Sequence, residues 1–299
     1  MNRNRTLAAD LQQLLRDQSP EWSVLAFGNH GTSPAFHLDV LDYAQWHFGV
    51  QEAVVLLYLG NDVNESSPAL NYSSPEAFIY YDLDAAGQLA LLPASAACRT
   101  QFNRSMEFSH QSVWTCLPVT LNSHCMTLQL ILSIRDTMAR NRKARAFGAA
   151  DPETAKYGRF GLSLKPFATT PDLEARHAFD VMFAELTLLK QKCETNHIAL
   201  RLVTIPFFPP QFYASQHGPA WTLKLGEYDF LAPDREVAAF AQAQGIPFLS
   251  FADWLVAKKM SAEDIRNLYF TAGSGHFTEQ GHRRCAEAIF ETFYASQKP

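Results

Sequence analysis

Short, almost unbroken apolar runs that stop at glycine or proline, separated by stretches of helical periodicity, limit this chain to a small set of folds. Ala53-Val54-Val55-Leu56-Leu57-Tyr58 gives way to Leu59-Gly60, Trp22-Ser23-Val24-Leu25-Ala26-Phe27 ends at Gly28, and His197–Ile205 is stopped by Pro206. Pro247-Phe248-Leu249-Ser250-Phe251 is a shorter run of the same kind. Strands buried on both faces read this way, whereas a strand with one wet face alternates apolar and polar residues. Between the runs, Phe36 to Phe48 carries Leu38, Leu41, Tyr43, Trp46 and His47 at helix-like intervals, and Phe179, Met182, Phe183, Leu186, Leu189 and Cys193 mark one face of a long helix. Val237 to Gln244 predicts a helix ended by Gly245, and Glu279 to Phe293 predicts one that turns Cys285, Ala288, Ile289 and Phe293 inward. Leu7, Leu11, Leu14 and Leu15, closed by Pro20, predict an opening helix. The class is therefore α/β, a parallel sheet covered by helices on both faces.

The length of 299 residues suits one domain, residues 1–299, with a substantial insertion. The alternation breaks after Asp62 and resumes near residue 175, so residues 63–175 read as that insertion. It holds a β-hairpin, with Phe78-Ile79-Tyr80-Tyr81 and Gln88-Leu89-Ala90-Leu91 around the turn Asp84-Ala85-Ala86-Gly87, then a helix near Leu128 to Arg142, and a stretch with glycine and proline from Gly148 to Pro171. We expect it to serve as a lid beside the site.

Hydrophobic residues make up 47% of the chain and charged ones 18%, the balance of an ordinary globular protein. A formal net charge of -5 argues against nucleic acid as a partner, and the basic run from Arg135 to Arg145 reads as a solvated helix face. The five cysteines show no CxxC spacing and cannot all pair, so free, mostly buried thiols are expected. No apolar run approaches the ~20 residues of a membrane helix, and Met1-Asn2-Arg3-Asn4-Arg5 leads into an amphipathic pattern rather than a signal core. As written, the sequence suggests a soluble, cytoplasmic protein without a membrane segment.

In an open parallel sheet, function gathers at the carboxyl ends of the strands. Gly28-Asn29-His30-Gly31-Thr32-Ser33 and Leu59-Gly60-Asn61-Asp62 fall there, and Ser274-Gly275-His276 precedes the last helix. Acyl transfer needs a nucleophile, a base and preorganised donors for an oxyanion. A glycine N–H and an asparagine amide are such donors, and a histidine is the usual base.

In this order the loops resemble the blocks of the SGNH (GDSL-type) ester hydrolases. Phe27-Gly28-Asn29-His30-Gly31 is similar to the second block and Leu59-Gly60-Asn61-Asp62 to the third, while His276-Phe277-Thr278 with the later Gly281-His282 is similar to the last. The resemblance implies a three-layer, flavodoxin-like sheet with the insertion after this chain's second strand. It implies Gly31 and Asn61 as oxyanion donors, His276 as base, and a small acyl ester or acetylated carbohydrate as substrate, without a cofactor. Two departures stand out. No Gly-Asp-Ser block precedes the second block, and Ser274 occupies the position of the acid that orients the histidine, which Asp264 would have to replace.

The family's serine ends a strand lying between those matched here by Trp22–Phe27 and Ala53–Tyr58, so residues upstream of Met1, or a partner chain, are expected to contribute it. Ser33 and Thr32 are weaker candidates for the nucleophile. The spacing of His276, His282 and Cys285 is not a zinc-ligand pattern, and no GxGxxG or Walker sequence suggests a nucleotide, so neither metal nor cofactor is expected. The alternative is a catalytically inactive member of the same fold that acts as a binding or scaffold protein. A third reading is an unrelated flavodoxin-like domain with another ligand.

Overall fold

The computed structural model describes residues 6–28, 33–71, 78–108, 164–207, 224–225, 228–270 and 276–295. Its centre is a sheet of three parallel strands in the order β1 (Glu52–Tyr58), β4 (Ala199–Ile205), β7 (Phe248–Ser250). β1 runs beside β4 in register from Glu52 opposite Ala199 to Tyr58 opposite Ile205, and β7 joins β4 through Leu202 to Thr204. The hairpin between them in sequence is β2 (Tyr81–Leu83) with β3 (Leu89–Leu91), and β5 (Lys224–Leu225) pairs with β6 (Tyr228–Asp229).

Among the described residues the α-helices are α1 (Leu7–Gln18), α2 (Pro34–Phe48), the single-turn α3 (Asp62–Glu65), α4 (Ala96–Phe108), α5 (Leu173–Thr195), α6 (Ala232–Gln244), α7 (Phe251–Ala257), α8 (Ala262–Asn267) and α9 (Glu279–Phe293). Alternate residues of β1 divide between two cores. Leu57, with Ala53 and Val55, faces a core shared by Leu38 and Leu41 of α2, Met182, Leu186 and Leu189 of α5 and Val237 of α6. Val54, Leu56 and Tyr58 face Leu11 and Leu15 of α1, Leu255 of α7 and Ile289 of α9. Each face of the sheet is thus sealed by helices, which is why the strands read as continuous apolar runs. Most expected helices form where their periodicity placed them, and Gly245 takes φ +65° as it closes α6, a backbone state that glycine accepts freely.

The direction of α9 fixes the ends of the molecule. Beyond its C-terminus the Tyr294 hydroxyl donates to Glu52 Oε2 (2.9 Å) at the start of β1, and the Arg201 guanidinium, paired with the same carboxylate, lies 4.9 Å from the Tyr294 ring. A 15-residue helix is about as long as a seven-residue strand, roughly 22 Å against 23 Å. The N-terminus of α9 therefore stands at the carboxyl end of the sheet. α1 lies alongside in the same sense, since Trp22, just after it, packs edge-on against Tyr294 (5.6 Å) while Asp10, near its start, acts on the charge of His282, near the start of α9.

One expected strand is not in the sheet. Trp22 to Gly28 has no regular secondary structure and pairs with no strand among the described residues, so the second expected strand, β1, is the first strand observed. An apolar run makes a strand only where a neighbour offers a matching edge. Here Gln12 of α1 takes the place of one, its side chain accepting from Val24 N–H and donating to the Trp22 carbonyl, both at 2.7 Å. The hairpin is shorter than expected but its turn is the expected one: Asp84 Oδ1 accepts from Ala86 and Gln88 N–H, and Gly87 sits at φ +73°. Phe78, Ile79 and Tyr80 are buried in the core ahead of β2, where the Tyr80 carbonyl accepts from Leu92 N–H at 3.0 Å and its N–H donates to the Ser95 hydroxyl at 3.1 Å. The expected helix near residues 128–142 lies outside the described residues. Among the described residues, no helix is long and apolar enough to cross a membrane.

Candidate functional site

The carboxyl end of β1 passes directly into the Gly60-Asn61-Asp62 turn. Asp62 reaches back so that its Oδ2 accepts from Tyr58 N–H at 2.7 Å, and Asn61 N–H donates to the Tyr58 carbonyl at 3.2 Å. The Tyr58 ring folds over Gly60, where a Cβ would come within 2.5 Å of it, so glycine lets the ring close over the turn. Asn61 is the N-cap residue of α3, and its side chain is held by the same turn, with Nδ2 donating to Glu65 Oε1 at 2.8 Å. An amide nitrogen carries two hydrogens, so this bond fixes the group in orientation and engages one of them, while Asn61 Oδ1 is buried without a partner.

Beneath this turn lie three buried carboxyl groups. Burial and the neighbouring Glu65 and Glu185 charges push Asp62 well above the usual carboxylate range. Burial raises Glu65 to about 7, against the Asn61 hydrogen bond, and raises Glu185 of α5 to about 8, against the hydroxyl of Ser66, which donates to Glu185 Oε2 at 3.1 Å. Asn64, between them in sequence, is fully buried with neither end of its amide bonded. Burial and the closeness of the three carboxyls thus hold their protons to higher pH than free side chains would, with Glu65 releasing its proton near neutrality.

The last block is built with equal rigidity. Thr278 caps α9, accepting from Gly281 N–H (3.2 Å) while its own hydroxyl donates to the Asn267 carbonyl at 2.7 Å. Gly281 is required by close approach, because a Cβ there would lie 2.1 Å from the Leu268 carbonyl oxygen. Phe277 packs on Phe251, Tyr269 and His282. His276 is exposed, and its carbonyl accepts from Phe270 N–H at 3.0 Å. Since α9 starts at the carboxyl end of the sheet, His276 and Asn61 share that end. Cys285 is fully buried on the inner face of α9, where its thiol is pushed far up by burial, and His282 lies partly buried at the helix start.

The other expected site residues, Gly31 and Ser274, lie outside the described residues, as does Thr32. Ser33 is the N-cap residue of α2, wholly buried with an unbonded hydroxyl, a poor position for attack on a substrate. Asp264 is committed elsewhere: its Oδ2 accepts from both N–H and hydroxyl of Ser261 in the capping box of α8, which holds its pKa below the usual value.

Sequence reasoning missed two groups. The first is the buried trio of acids. Its trace was Glu185 on the apolar face of α5, three residues from Met182 and one from Leu186. The second is Asp234 in the first turn of α6, which bonds the hydroxyls of Thr204 on β4 and Ser250 on β7 (2.7 Å to the latter) and ties the helix to two strand ends. Nothing in the local sequence marks that contact. Compared with protein-family models, curated proteins and solved structures, the chain gives no match.

Proposed function

We propose that the protein is an ester hydrolase or O-acyltransferase of the SGNH type, with its chemistry at the carboxyl end of a flavodoxin-like sheet. The single observation that carries this reading is the sharing of that end by Asn61, with only one of its amide hydrogens engaged by Glu65, and His276, ahead of a helix start pinned by Thr278 and Gly281. A serine oxygen would attack the carbonyl of a small acyl ester or acetylated sugar while His276 takes its proton. The oxyanion would be held by Asn61 Nδ2 and the Gly31 N–H. His276 would then return the proton to the leaving alcohol, and water or a sugar hydroxyl would release the acyl group. No serine among the described residues is assigned the nucleophile's role.

A second reading, a non-catalytic binding protein on the same fold, draws support from Asp264. Ser274 stands at the acid's place in sequence and Asp264, its expected replacement, is engaged by Ser261, and loss of that acid costs on the order of 10⁴-fold in the serine-protease case. Hydrolysis of p-nitrophenyl acetate by the protein isolated from its native source, compared with His276→Ala and Asn61→Ala, separates the two. The enzyme reading predicts turnover that falls in both variants, by about 10²-fold or more for Asn61→Ala. Turnover equal in all three, or none in any, favours the binding reading.

A further inference from the structure

Two side chains of the turn after β1 each leave one oxygen without a partner, and the two are already joined to each other. Asn61 Nδ2 donates to Glu65 Oε1 at 2.8 Å, while Asn61 Oδ1 and Glu65 Oε2 are buried and unbonded. The backbone around them is committed. Glu65 N–H donates to the Asn61 carbonyl at 2.8 Å, Asn61 N–H donates to the Tyr58 carbonyl, and Asp62 Oδ2 takes the Tyr58 N–H. Buried oxygens without a donor are rare, and both of these lack the same thing, a hydrogen.

An ionised Glu65 cannot supply it. A carboxylate only accepts, so Asn61 Oδ1 gains no bond from it whichever way the amide is turned. A protonated Glu65 can: with the hydrogen on Oε2, the carboxyl offers one acceptor and one donor side by side, the complement of the amide's one donor and one acceptor. The surroundings favour that form, since Glu65 is 7% exposed and burial raises its carboxyl to about 7. The titratable groups around it are Asp62 on its own turn, Glu185 on α5, which packs against α3, and the Tyr58 phenol over Gly60. On elements that share the core with Val63 there are also Tyr81 of β2 and, on α2, His37, whose ring burial lowers to about 4. The Arg99 guanidinium, which lies over Tyr81, is taken by Asp39. Among the described residues no cation bears on the carboxyls of Asp62, Glu65 or Glu185, so a charge on Glu65 has nothing to offset it.

We propose that Glu65 is the positioning residue of Asn61: protonated, it holds the amide by two bonds, Nδ2–H to Oε1 and Oε2–H to Oδ1, and loss of that one proton loosens the amide. With both bonds made, the amide plane is fixed and its second hydrogen has one direction. After ionisation Oε2 and Oδ1 repel, the remaining bond becomes a pivot, and a negative charge stands beside the amide that would hold an oxyanion. Asn61 is therefore the better donor while Glu65 keeps its proton, and the worse one as pH rises through the Glu65 value. Glu65→Gln gives the pair a neutral amide that supplies the same acceptor and donor at every pH. The use of the Asn61 hydrogen rests on the acyl-transfer reading, but the coupling of Glu65 to Asn61 does not, and its test reads the amide itself rather than turnover.

The test is a nuclear magnetic resonance titration of the full isotope-labelled chain from about pH 5 to about pH 9, following the Glu65 carboxyl carbon and the Asn61 side-chain amide, each assigned through its own backbone signals. We expect the Glu65 carbon to titrate with a midpoint near 7 and both Asn61 amide hydrogens to move on the same curve. In Glu65→Gln the Asn61 amide should stay, across the whole range, near its position in the parent chain at low pH. The coincidence of the two curves in the parent chain needs no variant. A Glu65 midpoint near the free value of 4.5 overturns the proposal, as does an Asn61 amide that ignores the Glu65 transition. An Asn61 amide that titrates alike in Glu65→Gln also overturns it, by assigning the effect to Asp62 or Glu185.

Discussion

Replacing Glu185 by glutamine should make the protein more stable at alkaline pH. Glu185 is 1% exposed in the middle of α5, and its carboxyl sits at about 8 against 4.5 for a free glutamate side chain. A carboxyl whose folded value is raised binds its proton more tightly in the native state. Its contribution is complete below the unfolded value and is lost as pH rises through the folded one, here between about 4.5 and 8. The shift of about 3.5 units corresponds to at most about 5 kcal/mol at roughly 1.4 kcal/mol per unit. Relaxation of the surroundings and entry of water on ionisation reduce this, and we take roughly 2–4 kcal/mol.

Glu185→Gln keeps the shape and still accepts the Ser66 hydroxyl, but it has no proton to lose, and it removes one of the charges that raises Asp62. Urea unfolding followed by tryptophan fluorescence from pH 5 to 9 should show the parent chain losing stability toward pH 8. The variant should lose less and be the more stable of the two by roughly 2–4 kcal/mol at pH 8.5, with near equality at pH 5. Parallel pH profiles for the two proteins would refute the view that Glu185 is a buried acid held protonated by its surroundings.

Gly281→Ala should cost roughly 1–3 kcal/mol in the same unfolding assay, because the new methyl meets the Leu268 carbonyl and no rotamer change can relieve a backbone contact. Asp234→Ala should cost about 2–3 kcal/mol by leaving the buried hydroxyls of Thr204 and Ser250 without their shared acceptor, while Asp234→Asn should cost less. Spin labels on Asn61→Cys and His276→Cys should report a separation well below the roughly 23 Å length of β1, and a clearly longer distance would place the two residues at opposite ends of the sheet.

Much of the fold was legible in the sequence because periodicity and end signals agree. α9 spans the residues its apolar spacing marks out, α6 stops at the glycine that closes it, and β1 matches its apolar run to within a residue. The run at Trp22 to Phe27 shows where such reading fails. Its apolar residues meet the helices on both sides as a strand's would, but pairing is a property of two edges and is not written in either run alone. The position of Asn61 followed from the strand before it, whereas its bond to Glu65 did not. A glutamate four residues on in a single helical turn is ordinarily solvated, but here α3 packs against α5 and Glu65 is buried. The same holds for Asp234, whose partners lie on two strands distant in sequence.

The central claim concerns chemistry at the end of the sheet that holds Asn61 and His276, and the most direct test is covalent. The protein isolated from its native source, treated with a fluorophosphonate and mapped by peptide mass, should carry one stoichiometric serine adduct. It should form at least about a hundredfold more slowly in His276→Ala. No adduct, or one whose rate is indifferent to His276, would contradict the account.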